Sequence, residues 1–216
     1  MASVPIKAEY GPTLGQVLAP RWRAATPAAR IAVRALALLF LALAVAVVLT
    51  LLDASYSHGG RVPFSFRYKG LHRVAPDPGG YVKVIQRSGS GRLLYSFAVA
   101  PLTLPRYGGE LSGELPLYAS GYIRSLRSRD PSFVLVGEGK TKVNTVPAYA
   151  VLYLTRVNGR ALYGRNVLLL GERAGAREGV EISMLTAAGA SKHVDGPIEV
   201  GTTGVLQRPL RSFTLG

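Results

Sequence analysis

Residues 35–52 read ALALLFLALAVAVVLTLL, eighteen consecutive positions without a charge, a glycine or a proline. This run constrains the chain more than any other feature does. As a helix it would extend roughly 27 Å, close to the ~30 Å hydrocarbon core of a bilayer. Twelve of the eighteen are Leu, Val or Phe, and such side chains favour insertion by about 0.3–0.6 kcal/mol each near the bilayer centre. A core helix of a soluble domain is the first rival, but no face of this run is polar and a small domain could hardly wrap it. A cleaved signal peptide is the second. Signal cores usually end after about 7–15 apolar residues at a small-x-small site, whereas here the run is longer and only Ser55-x-Ser57 follows it. The reading adopted is an uncleaved transmembrane helix over 27–52, opened by Thr26 as N-cap with Pro27 at the first helical position.

The flanks set the orientation. Lys7, Arg21, Arg23, Arg30 and Arg34 precede the run against the single acid Glu9, while Asp53 to Gly60 hold no Lys or Arg. The positive-inside rule then places residues 1–26 in the cytoplasm and the remainder outside. Arg21, Trp22, Arg23, Arg30 and Arg34 are expected at the membrane interface, with Trp22 as an aromatic anchor and Arg34 snorkelling to the headgroups. The predicted organisation is a basic flexible tail (1–26), a transmembrane helix (27–52), a linker (53–60) ending in Gly59-Gly60, and one extracytoplasmic domain (61–216).

The chain has no cysteine, so the outer domain must rest on its own core, and thiol catalysis, Cys-based zinc sites and a lipidated cysteine are excluded. The net charge is +14, and Arg outnumbers Lys twenty to six; with abundant Ala, this suggests a GC-rich bacterial genome. Inside a cell such charge would suggest nucleic acid. Outside, the counter-ions are lipid headgroups or wall polymers, so no nucleic-acid partner is expected.

Beyond residue 60 the chain turns β-rich. Val62, Phe64, Phe66 and Tyr68 alternate with Pro63, Ser65, Arg67 and Lys69, and 81–86 and 93–99 read as further strands around the Arg87–Arg92 turn cluster. Leu115, Ala119, Tyr122, Ile123 and Leu126 make one apolar stripe, predicting an amphipathic helix over 115–127 that Asp130-Pro131 stops. Short strands are expected at 133–136 and 140–143, and long ones at 147–156 and 160–170 across an Asn158-Gly159 hairpin. Residues 180–186 form another strand, and 205–215 a closing helical turn or edge strand. The fold class is α+β, a mainly antiparallel sheet with one clear amphipathic helix.

The Phe64-x-Phe66-x-Tyr68 opening strand, the helix, the long meander over 140–186 and the closing Arg211-Ser212-Phe213 come in an order and spacing that resemble the PsbP/Mog1-type α/β/α sandwich, including exported actinobacterial proteins of that fold. The likeness covers about 61–215. It departs from the family at Lys69-Gly70-Leu71, where many members carry a Pro and then a Trp, and in showing one helix where the sandwich wants helices on both faces. The resemblance implies a binding or assembly-accessory module and carries over no catalytic residue.

No chemistry is legible. His58, His72 and His193 lack metal-ligand spacing, Gly-x-Ser-x-Gly and Ser-x-x-Lys are absent, and no carboxylate pair is poised. Glu110 and Glu114 suit a helix start, and Asp77 a turn. No catalytic, cofactor or metal residue is assigned. Arg124 and Arg127, with Arg129 at the helix end, stand opposite the apolar stripe as a candidate contact for an anionic surface. Three functions fit: a membrane-anchored extracytoplasmic binding or scaffold module without catalysis, which is the reading adopted; an accessory subunit of a larger membrane complex; and an envelope enzyme acting on wall polymer or lipid. The expected partners are the lipid bilayer and another membrane or cell-envelope protein.

Overall fold

The computed structural model describes residues 26–51, 53–105, 111–171 and 177–216, and the chain divides between Leu52 and Asp53 into two units. In the first, α1 (Pro27–Leu51) is one helix of 25 residues. Every side chain described between Ile31 and Leu43 is exposed. Leu36 at 69% and Leu38 at 67% stand about 200° apart around the axis, so the apolar surface is not a stripe. Residues 31–43 alone reach about 20 Å. Among the described residues no helix is long and apolar enough to cross a membrane, while the backbone helix itself continues to Leu51.

The second unit is built on two antiparallel sheets. A small sheet has the order β1 (Ala54–His58), β2 (Phe64–Tyr68), β10 (Thr214–Leu215), and a large one the order β3 (His72–Val74), β4 (Val82–Arg87), β5 (Leu93–Thr103), β9 (Glu178–Ala187), β8 (Arg160–Leu170), β7 (Val146–Val157), β6 (Val134–Val143). Helix α2 (Leu111–Arg129) covers part of one face of the large sheet. Phe64, Phe66 and Phe213 from the small sheet and the chain end cover the other, over Val84, Phe97, Val99, Ile182 and Met184. The short helix α3 (Gln207–Arg211) belongs to that second layer.

The period-two pattern at 62–68 gives β2, with Phe64 and Phe66 at 3% and 1% exposure. The Asn158-Gly159 hairpin forms as read: Val157 pairs with Arg160, and both turn residues have positive φ, 51° and 76°. The predicted linker is overturned. Ala54–His58 is a strand paired with β2, because Tyr56 packs 5.7 Å from the Phe66 ring and His58 4.2 Å from the Tyr81 ring, while Ser55 and Ser57 face out. The expected short strands at 133–136 and 140–143 are one strand, β6, with a register shift between Leu135 and Gly137. The closing segment is both a helical turn and an edge strand, and β3 was not foreseen. A second helical layer is replaced by the small sheet and α3.

Candidate functional site

Polar groups converge first beneath α2. Neighbours in register share a face, so Tyr153 opposite Gly164, Asn166 opposite Ser183 and Leu168 opposite Glu181 all point toward the helix. From α2, the Tyr122 hydroxyl donates to Glu181 Oε1 and accepts from Asn166 Nδ2. The Tyr153 hydroxyl donates to Asn166 Oδ1 at 3.1 Å, and Ser183 Oγ to Glu181 Oε1 at 2.9 Å. Burial, and then the Glu181 charge, push both phenols well above their ordinary value. They therefore stay protonated donors. With Tyr122, Tyr153 and Asn166 at 7%, 7% and 2% exposure, this is a closed seam that pins α2 to the sheet.

Asp130 closes the helix in a second cluster. It accepts from the Ser132 N–H at 2.8 Å, from Ser132 Oγ at 2.6 Å and from Thr155 Oγ1. Burial raises its carboxyl, but these hydrogen bonds outweigh it and hold the group below the usual range.

Among the described residues, open concavities of the second unit include the following two. Ile85 opposite Ser96, Ser96 opposite Leu185 and Leu185 opposite Gly164 carry the α2 face across to β4. Beyond the helix this surface forms the floor of a groove of about 680 Å³, rimmed by Arg87, Arg92 and Arg160 from two hairpin ends. A groove of about 760 Å³ lies on the outward side of the small sheet, between Ser55, Ser57, Ser65 and Arg67 and the α3 residues Arg208 and Arg211. No carboxylate lines either groove, and among the described residues no three His, Asp or Glu gather as metal ligands. Guanidinium and hydroxyl donors suit oxyanion binding.

The residues expected to act fall outside these grooves. Arg124 and Arg127 are exposed on α2; Arg124 stands about 200° around the axis from buried Tyr122, whereas Arg127 flanks the stripe one turn beyond buried Ile123. Arg129 folds back, its Nε donating to Ser125 O at 3.2 Å. Arg34 is exposed on α1. The Arg30 side chain, and Arg21, Trp22, Arg23 and Glu110, lie outside what the structure describes. Glu114 is buried in the first turn of α2, His72 and His193 are exposed, and Asp77 holds Lys83 at 2.8 Å. Arg67, Arg208 and Arg211 went unread. Arg67 at least occupies an outward position of an alternating strand, but its meeting with α3 depends on a pairing across about 145 residues.

No family model matches the chain, and no curated protein matches it. Solved structures do. LpqN of Mycobacterium tuberculosis, described as involved in cell envelope biogenesis, aligns with TM-score 0.51 at 10% identity, covering 76% of this chain and 91% of that one. PsbP (CyanoP) of Synechocystis aligns with TM-score 0.47 at 13% identity over 76% and 92%. The domain shares its fold with LpqN.

Proposed function

We propose that this PsbP/Mog1-like domain is the outer part of a single-pass membrane protein of the cell envelope and works by binding, without catalysis. The carrying observation is the lining of its two grooves: arginines and hydroxyls gather there and carboxylates do not. General acid–base chemistry needs a titrating group within reach of substrate. Guanidinium stays protonated, and the Tyr122 hydroxyl that meets Glu181 is itself buried under α2 and held in its protonated form. The apolar, all-round exposure of α1 over 31–43 and the basic flank before it support a membrane anchor with its N-terminus inside. The role in envelope biogenesis given for LpqN, whose fold this domain shares, supports an envelope setting. Arg124, Arg127 and Arg129 form a further contact, for an anionic headgroup layer or wall polymer. The anchor is tested by fractionation. The chain should stay in the membrane pellet through an alkaline carbonate wash and leave it only with detergent, whereas release by carbonate would contradict the anchor.

A further inference from the structure

The groove on the small sheet has a lining that specifies a ligand class. Ser57 pairs with Ser65 and Ser55 with Arg67 across β1 and β2. The Phe64 and Phe66 rings occupy the buried side, so these polar groups are forced outward. Some are already engaged. Ser212 Oγ accepts from the Arg67 N–H at 2.8 Å and donates to Arg208 O at 2.8 Å, and Arg208 is ion-paired with Asp53. Arg67 and Arg211 are exposed, and among the described residues no carboxylate pairs with either. Two unneutralised guanidiniums beside the Ser55 and Ser57 hydroxyls suit a phosphate ester, which takes forked N–H donors on its oxygens.

Connectivity indicates where such an ester lies. Ser55 follows Leu51, the end of α1, by four residues, and four extended residues reach at most about 14 Å. On the reading that α1 crosses the membrane, the headgroup layer is within that reach of the groove's first residue. We propose that this groove binds the phosphodiester headgroup of an anionic phospholipid in the bilayer that anchors the chain, with Arg67 and Arg211 on the phosphate and Ser55 and Ser57 on the headgroup hydroxyls. The proposal rests on the anchor reading.

The test uses the full chain in nanodiscs, with an environment-sensitive fluorophore on Gly59→Cys, an exposed position with open space at its Cβ and outside the lining. Replacing phosphatidylcholine stepwise by phosphatidylglycerol should give a saturating change. Arg67→Gln/Arg211→Gln should weaken that dependence about twenty-five-fold, two contacts of about fivefold each. Lys140→Gln/Lys142→Gln, which removes equal charge from the exposed side of β6, should leave it intact. Glycerol 1-phosphate added to phosphatidylcholine discs should give no change. The inference is overturned if phosphatidylglycerol has no effect, if the double Arg variant responds like the parent, or if the free ester alone produces the response. Failure of the chain to enter nanodiscs would instead overturn the anchor and this inference with it.

Discussion

At Gly164 the large sheet has no room for a side chain. A Cβ there would lie 2.3 Å from the Tyr153 ring, which rests flat over the glycine from the neighbouring strand. Gly164→Ala should therefore push the ring away and break its hydrogen bond to Asn166, at a cost of about 1–3 kcal/mol. An unchanged melting temperature would show that the ring has freedom to move. Tyr122→Phe leaves the Asn166 amide and the Glu181 carboxylate short of a partner and should cost a similar ~1–3 kcal/mol. Asp130 gives a pH signature. Its carboxyl is held below the ordinary 3.8, so its charged form is bound more tightly in the folded state than in the unfolded one. That stability is present above the unfolded value and fades as pH falls through the lower folded value. Asp130→Asn should thus destabilise at neutral pH, and the gap in melting temperature should close only below about pH 4. The sequence places Tyr122 on the apolar stripe and Asp130 at the helix stop, but it shows neither their polar partners nor the role of Gly164. A Tyr–Asn–Glu seam is assembled from three strands and a helix, and no local spacing encodes it.

Elements were more legible where the signal is local. Asn158-Gly159 between two apolar runs specifies a turn in which both residues need positive φ, and the strands it joins follow. Gly159→Val should destabilise the domain by about 1–3 kcal/mol, since φ there is 76°. Gly89→Val should cost much less, because both positions leave open space for a Cβ but only Gly159 has a positive φ. Equal melting shifts would mean the hairpin tip adapts. Local reading failed at β1, where ASYSH carries too little apolar weight to read as a strand. It becomes one only because β2 offers an edge and an aromatic surface. Likewise β6 looked like two short strands, since Val134 and Val136 are exposed and the register shift breaks the alternation. On α2 the apolar stripe fixes which side is buried and leaves Arg124 and Arg127 outside. Arg124→Gln/Arg127→Gln/Arg129→Gln in the full chain should reduce binding to an anionic vesicle or polyanion by roughly a hundredfold at low salt. Binding equal to the parent's would reduce this face to solvated charge.

At the scale of the molecule, the order of elements carried the fold likeness, while the second layer did not follow from it. The resembled sandwich has helices on both faces and this sequence shows one clear helix; the small sheet with α3 covers the other face because β10, at the chain end, pairs with β2 near the start of the domain. The grooves were illegible for the same reason: each is bounded by segments far apart in sequence. The proposed membrane anchor is the opposite case, read entirely from consecutive residues. Because the chain has no cysteine, its sidedness can be read with one introduced thiol at a time. Single variants Thr13→Cys, before α1, and Ser90→Cys, at an exposed hairpin position of the β-rich domain, are treated in intact cells with a membrane-impermeant maleimide. A membrane-anchored outer module predicts labelling of Ser90→Cys, and labelling of Thr13→Cys only after the membrane is permeabilised. Labelling of Thr13→Cys in intact cells, or protection of Ser90→Cys, would contradict it.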